Sequence, residues 1–184
     1  MKKIVLVCGI IAGLISVFWP IFGEQFLPDS VSFNTRLFFG YAAMVLAFSL
    51  IFVGVKSYRD NHNNGVISFG KALKISLLIT FVASTIYTLT WLINYYFFLP
   101  DFGTQYMASM RAELIASGTS NAEIQKQMAE MSASLQHYKN PLYNAMMTFE
   151  EIAPVGIIIS IIVSLILKNK PKPAPVDMGA PKIN

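Results

Sequence analysis

The sequence predicts an all-α, polytopic membrane protein: four transmembrane helices, with an extracytoplasmic amphipathic helical hairpin between the third and the fourth. Three observations carry this prediction. The 184 residues are 54% hydrophobic and 13% charged, about half the charged share of a soluble domain. The mean hydropathy is +0.53. Finally, four apolar runs each approach the roughly 20 residues that cross a bilayer core. So few charges cannot cover a water-facing surface, which makes lipid the expected solvent.

The first span covers residues 4–23. Lys2 and Lys3 precede it, as in a signal peptide, but no A-x-A site follows the run, so an uncleaved membrane helix is expected. A lipoprotein signal is excluded by the bulky Val7 before Cys8 and by the short apolar stretch ahead of it. Cys8 is the single cysteine, so no disulfide framework or cysteine metal cluster is available. The second span, 37–55, and the third, 75–99, contain no charged residue, and the third is long enough to tilt. The fourth, 145–167, has a short apolar core from residue 152. Its helix is therefore expected to start near Asn140-Pro141, where Asn caps and Pro suits the first turn. Pro154 lacks the N–H that would bond to the Glu150 carbonyl, which predicts a kink.

Basic residues orient the bundle. One side receives Lys2, Lys3, Lys56, Arg59, Lys71, Lys74, Lys168, Lys170, Lys172 and Lys182; the other receives Arg36, Arg111, Lys126 and Lys139. The lysine-rich side is predicted to be cytoplasmic, with both termini there. Glu24, Asp29, Asp101, Glu150 and Glu151 fall on the opposite side. The Pro-rich segment 169–184 lacks periodicity and is predicted to be a disordered cytoplasmic tail.

Between spans three and four, residues 104–139 carry helical patterning. Tyr106, Met107, Met110 and Leu114 recur at helical spacing, as do Ile124, Met128, Met131, Leu135 and Tyr138. Ser120 followed by Glu123 is a capping box. The pattern predicts a hairpin with a Met-rich apolar stripe that caps the bundle or lies on headgroups, in preference to a partner-binding groove.

Small residues mark packing faces: Gly9, Gly13 and Ser16 in the first span, and Gly156, Ser160 and Ser164 in the fourth. Such faces let membrane helices approach closely, within a bundle or between two copies. In the third span Ser76, Thr80, Ser84 and Thr88 form a polar stripe that ends near Trp91, Asn94 and Tyr95. It lines a hydrated path or ligand site on one reading. On the preferred reading its hydroxyls bond back to carbonyls of their own helix. The stripe holds no carboxylate, histidine or lysine, the groups that ion coupling uses at depth.

Other candidate residues resolve into ordinary roles. His62 and His137 fall on opposite sides and cannot share a metal, so no cofactor is expected. Glu150 and Glu151 are candidate interface carboxylates with Glu24, but adjacent helical positions diverge by about 100° and do not face each other. Residues 91–98 form an aromatic belt. The polar segment 58–76 reads as a cytoplasmic loop in which Arg59, Asp60 and Lys71 anchor topology and can meet anionic headgroups. Within it, Asn63, Asn64 and Gly65 supply the turn, and Ser68 caps the next helix.

Tyr58, Arg59 and Asp60, the run Gly65, Ile67, Ser68, Phe69, Gly70, Lys71 and Ala72, the exit Leu99-Pro100-Asp101-Phe102, and the Glu151 and Pro154 of the last span come in an order that resembles a known family. It is the bacterial Domain of Unknown Function family 4199, matched over roughly residues 3–168. The resemblance implies an integral protein of a Gram-negative inner membrane. It supplies no catalytic residue to carry over.

Three functions compete. The preferred one is a noncatalytic membrane protein that packs with itself or with another membrane protein. The second is a small transporter or channel using the stripe of the third span. The third is a membrane enzyme acting on lipid, for which only Glu24, Glu150 and Glu151 come near a constellation. No basic face with interleaved aromatics is present, so nucleic acid is not an expected partner.

Overall fold

The computed structural model describes residues 1–22, 31 and 33–169. Glu24 and the tail from residue 170 lie outside the described residues. Six helices run in order: α1 (Lys2–Phe22), α2 (Phe33–His62), α3 (Phe69–Phe97), α4 (Phe102–Ala116), α5 (Asn121–Tyr138) and α6 (Pro141–Leu167). Among the described residues there is no strand, only an isolated bridge between Ile67 and Asn169. Helices α1, α2, α3 and α6 are long and apolar enough to cross a membrane.

Local chemistry starts these helices where the sequence places the caps. Asn140 Oδ1 accepts from the N–H groups of Leu142 (2.9 Å) and Tyr143 (3.3 Å), with Pro141 in the first turn. Ser68 Oγ accepts from Lys71 N–H (3.3 Å), which opens α3. Ser120 Oγ accepts from Glu123 N–H (3.3 Å), while the Glu123 carboxylate takes a hydrogen bond from Gln127 Nε2 (3.0 Å). α6 continues through Pro154.

Two spans are longer than the sequence boundaries. The 30 residues of α2 reach about 45 Å against a hydrocarbon core of about 30 Å. Arg59 and Asp60 therefore sit on its last turn, and Lys71 on the first turn of α3, on the helix ends that flank the reversal. The helix overshoots the apolar run because no Gly or Pro stands between Gly54 and Gly65. The reversal itself uses Asn64 (φ 52°) and Gly65 (φ 75°), with Asn63 Nδ2 donating to the Val66 carbonyl. Asn169, just past α6, grips this loop. Its N–H donates to Ile67 O (2.9 Å), its Oδ1 accepts from Ile67 N–H (2.8 Å), and its Nδ2 donates to Gly65 O (2.7 Å).

In the bundle α3 packs against α1 and α6, and α2 lies against α1, α3 and α6. Phe48, Ile51, Ile75, Ile79 and Ile152 fill the interior. Phe38, Leu46, Phe81, Ile158 and Ile166 point outward and are exposed, as a lipid-facing surface requires. The glycine faces are spent inside this packing. A Cβ on Gly9 would stand 2.7 Å from Val82 Cβ, and one on Gly13 would stand 2.7 Å from Ile86 Cβ. One on Gly156 would stand 2.8 Å from Phe48 Cζ and closer still to Thr80 Cγ2. Both faces that the sequence left open to a second copy are occupied by the chain's own helices.

Candidate functional site

The polar stripe of α3 faces the small polar face of α6. Ser76 Oγ lies 3.5 Å from Ser164 Oγ, and Thr80 Oγ1 lies 3.0 Å from Ser160 Oγ. This corrects the expectation that these hydroxyls bond back to their own helix. Elsewhere they do: Ser16 donates to Ala12 O (2.9 Å) and Thr85 to Phe81 O (2.8 Å). The difference is proximity. Gly156 lets α3 approach α6 closely, which puts a partner hydroxyl within reach of Ser76 and Thr80. Continuing the same antiparallel register sets Gly156 opposite Ser84 and Ile152 opposite Thr88. Neither offers a hydroxyl, and both Ser84 Oγ and Thr88 Oγ1 are buried with no partner. Asn94 lies at the end of α3, where its backbone carbonyl accepts from Phe98 (2.9 Å) and Leu99 (3.0 Å) N–H.

At the end away from the lysines a relay joins three helices. Trp91 Nε1 donates to Tyr138 Oη (2.9 Å), Tyr138 lies 3.3 Å from Thr148 Oγ1, and Thr148 donates to Asn144 Oδ1 (3.2 Å). Since the Thr148 proton goes to Asn144, Tyr138 is the donor to Thr148, and all the dipoles point one way. Asn144 is fully buried, and its Nδ2 has no partner. Tyr138 also packs edge-on to Tyr95 (5.4 Å), and Tyr96 Oη donates to Lys139 O (3.0 Å). Burial pushes the Tyr138 phenol up, against the pull of its hydrogen bonds to Thr148 and Trp91.

The carboxylates separate. Glu151 adds its charge to the burial that raises the phenols of Tyr106 on α4 and Tyr138 on α5, and it also lies near Tyr87 of α3. Glu150 lines a shallow groove between α3 and α6. Both are exposed, and neither forms an ion pair with a described residue. At the other end Arg59 Nε binds Asp60 Oδ1 (2.7 Å), and Lys71 Nζ stands 5.6 Å from the Tyr58 ring centroid. Arg59, Asp60 and Lys71 thus satisfy local partners and do not converge on a common point. Among the described residues no group of His, Cys, Asp and Glu is arranged to hold a metal.

With this geometry in place, the family model described as Protein of unknown function (DUF4199) matches residues 8–169. The chain belongs to that family. Neither the curated proteins nor the solved structures contain a match. In this DUF4199 protein the polar groups of the spans form two arrangements: a hydroxyl seam that zips α3 to α6, and a relay that ties α5 to both. Sequence reasoning missed the relay. Its one local trace is Asn144 and Thr148 at i, i+4 before the last apolar run, and Trp91 and Tyr138 lie 47 residues apart.

Proposed function

We propose that this is a noncatalytic protein of the inner (plasma) membrane, with both termini cytoplasmic, and with α4 and α5 forming a hairpin outside that contacts a second copy or another membrane protein. Lysine placement supports the orientation. Lys2, Lys3, Lys56, Lys71, Lys74 and Lys168 are exposed at one end of the bundle, and Lys126 and Lys139 lie on or beside α5 at the other. One observation carries the contact surface. The glycine faces of α1 and α6 are filled from within, while α4 packs on α5 and α5 on α6 with Met107, Met110, Met128 and Met131 half-buried and most other positions of the two helices not buried. A transport reading keeps one observation in its favour, the unpartnered Ser84 and Thr88 hydroxyls. It ranks second because Ser76 and Thr80 pair with α6.

The test combines topology and contact. Cysteines at Ser117 and Asn63, in a Cys8→Ser background, should label from opposite sides of intact membrane vesicles. A photocrosslinker at exposed Glu130 should then trap an adduct of twice the chain's mass or of one defined membrane protein. Tyr138→Phe, which removes the relay donor, should weaken that adduct severalfold while leaving the chain inserted. Labelling from one side refutes the topology, and a photocrosslinked chain of only its own mass refutes the contact.

A further inference from the structure

The groove beside Glu150 has features that lipid-facing surface alone does not explain. It is an open groove of about 440 Å³, room for a length of acyl chain against an apolar wall. Leu89 and Leu92 of α3 and Met146 and Phe149 of α6 give it apolar walls, and Glu150 supplies its one charge. Glu150 is two residues past Thr148, at the level of the aromatic relay, where headgroups and hydrocarbon meet. A carboxylate here, facing lipid without a protein cation, is costly unless a counter-charge reaches it.

We propose that this groove seats a phospholipid whose headgroup carries a primary ammonium, as in phosphatidylethanolamine. The acyl chain lies along Leu89, Leu92, Met146 and Phe149. The ammonium meets the Glu150 carboxylate at the groove's edge. An ammonium offers three donors, a choline group offers none, and an anionic glycerol headgroup meets repulsion. The proposal rests on placement in a bilayer and not on the hairpin contact. A missing Glu130 adduct leaves it standing, and a missing lipid preference leaves the contact reading standing.

Native mass spectrometry of the full chain in detergent tests it, with ethanolamine, choline and glycerol phospholipids of identical acyl chains. The ethanolamine lipid should be retained about fivefold better than the other two, the ratio of roughly one well-made charge contact. Glu150→Gln should bring the three within about twofold of one another, with thermal unfolding in lipid-free detergent unchanged. Met146→Ala, which shortens the apolar wall at an exposed position, should weaken all three together and keep their ranking. The proposal is overturned by equal retention in the unaltered chain, by a preference that survives Glu150→Gln, or by Met146→Ala leaving retention unchanged. Quantitative crosslinking of Met146→Cys to a second copy, in a Cys8→Ser background, also overturns it, since the groove would then be covered by protein.

Discussion

Gly156→Val is expected to destabilise the bundle by about 3 kcal/mol, the upper end of typical overpacking costs. The new side chain has no free direction. Its Cβ alone would stand 2.8 Å from Phe48 Cζ on α2 and closer to Thr80 Cγ2 on α3. To relieve the clash, α6 must move off α3, and that movement lengthens the Thr80–Ser160 contact of 3.0 Å. The loss therefore includes a buried hydrogen bond as well as packing, worth about 0.6 kcal/mol on average between membrane helices. Thermal unfolding in detergent reads the effect directly. Thr80→Ser, which deletes the methyl nearest the new Cβ, should recover part of it in the double variant. If Gly156→Val unfolds at the temperature of the unaltered chain, α3 and α6 are not in contact there.

Gly13→Val is expected to cost about 2 kcal/mol through the other seam. Its Cβ would lie 2.7 Å from Ile86 Cβ and 2.9 Å from the Ala83 carbonyl oxygen. Backbone cannot rotate aside as a side chain does, so α1 must withdraw from α3. The variant should unfold at a lower temperature with no change in its oligomeric state. A G-x-x-x-G face used between copies would behave in the opposite way, with dissociation and an intact fold. Size-exclusion chromatography with light scattering, run beside the unfolding curve, separates the two cases.

How much of this could be read from the chain follows from the range of each interaction. Asn140, Ser68 and Ser120 cap helices through bonds to residues two or three positions on, so their roles are written locally. The four spans are likewise local, being runs of apolar residues of bilayer length. The ends of α2 and α3 were less legible, because hydropathy reports where a span leaves lipid and not where the helix stops. Arg59, Asp60 and Lys71 lie on helical turns beyond the apolar runs for that reason. The seam was half legible. Each stripe, Ser76 to Thr88 and Gly156 to Ser164, is visible by itself, but their mutual register joins residues 88 and 80 positions apart. Tyr138 shows the limit most clearly. Its spacing marks it as part of an apolar stripe, which it is, yet its hydroxyl also links Trp91 to Thr148 across two other helices.

The central claim is that the polar stripe of α3 is closed against α6 of the same chain. Thr80→Cys with Ser160→Cys, in a Cys8→Ser background, tests it in native membranes, since the two hydroxyls stand 3.0 Å apart. Mild oxidation should give a near-complete disulfide within one chain, seen as a faster-migrating monomer that reverts on reduction. A covalent dimer, or free thiols at both positions after oxidation, would contradict the account.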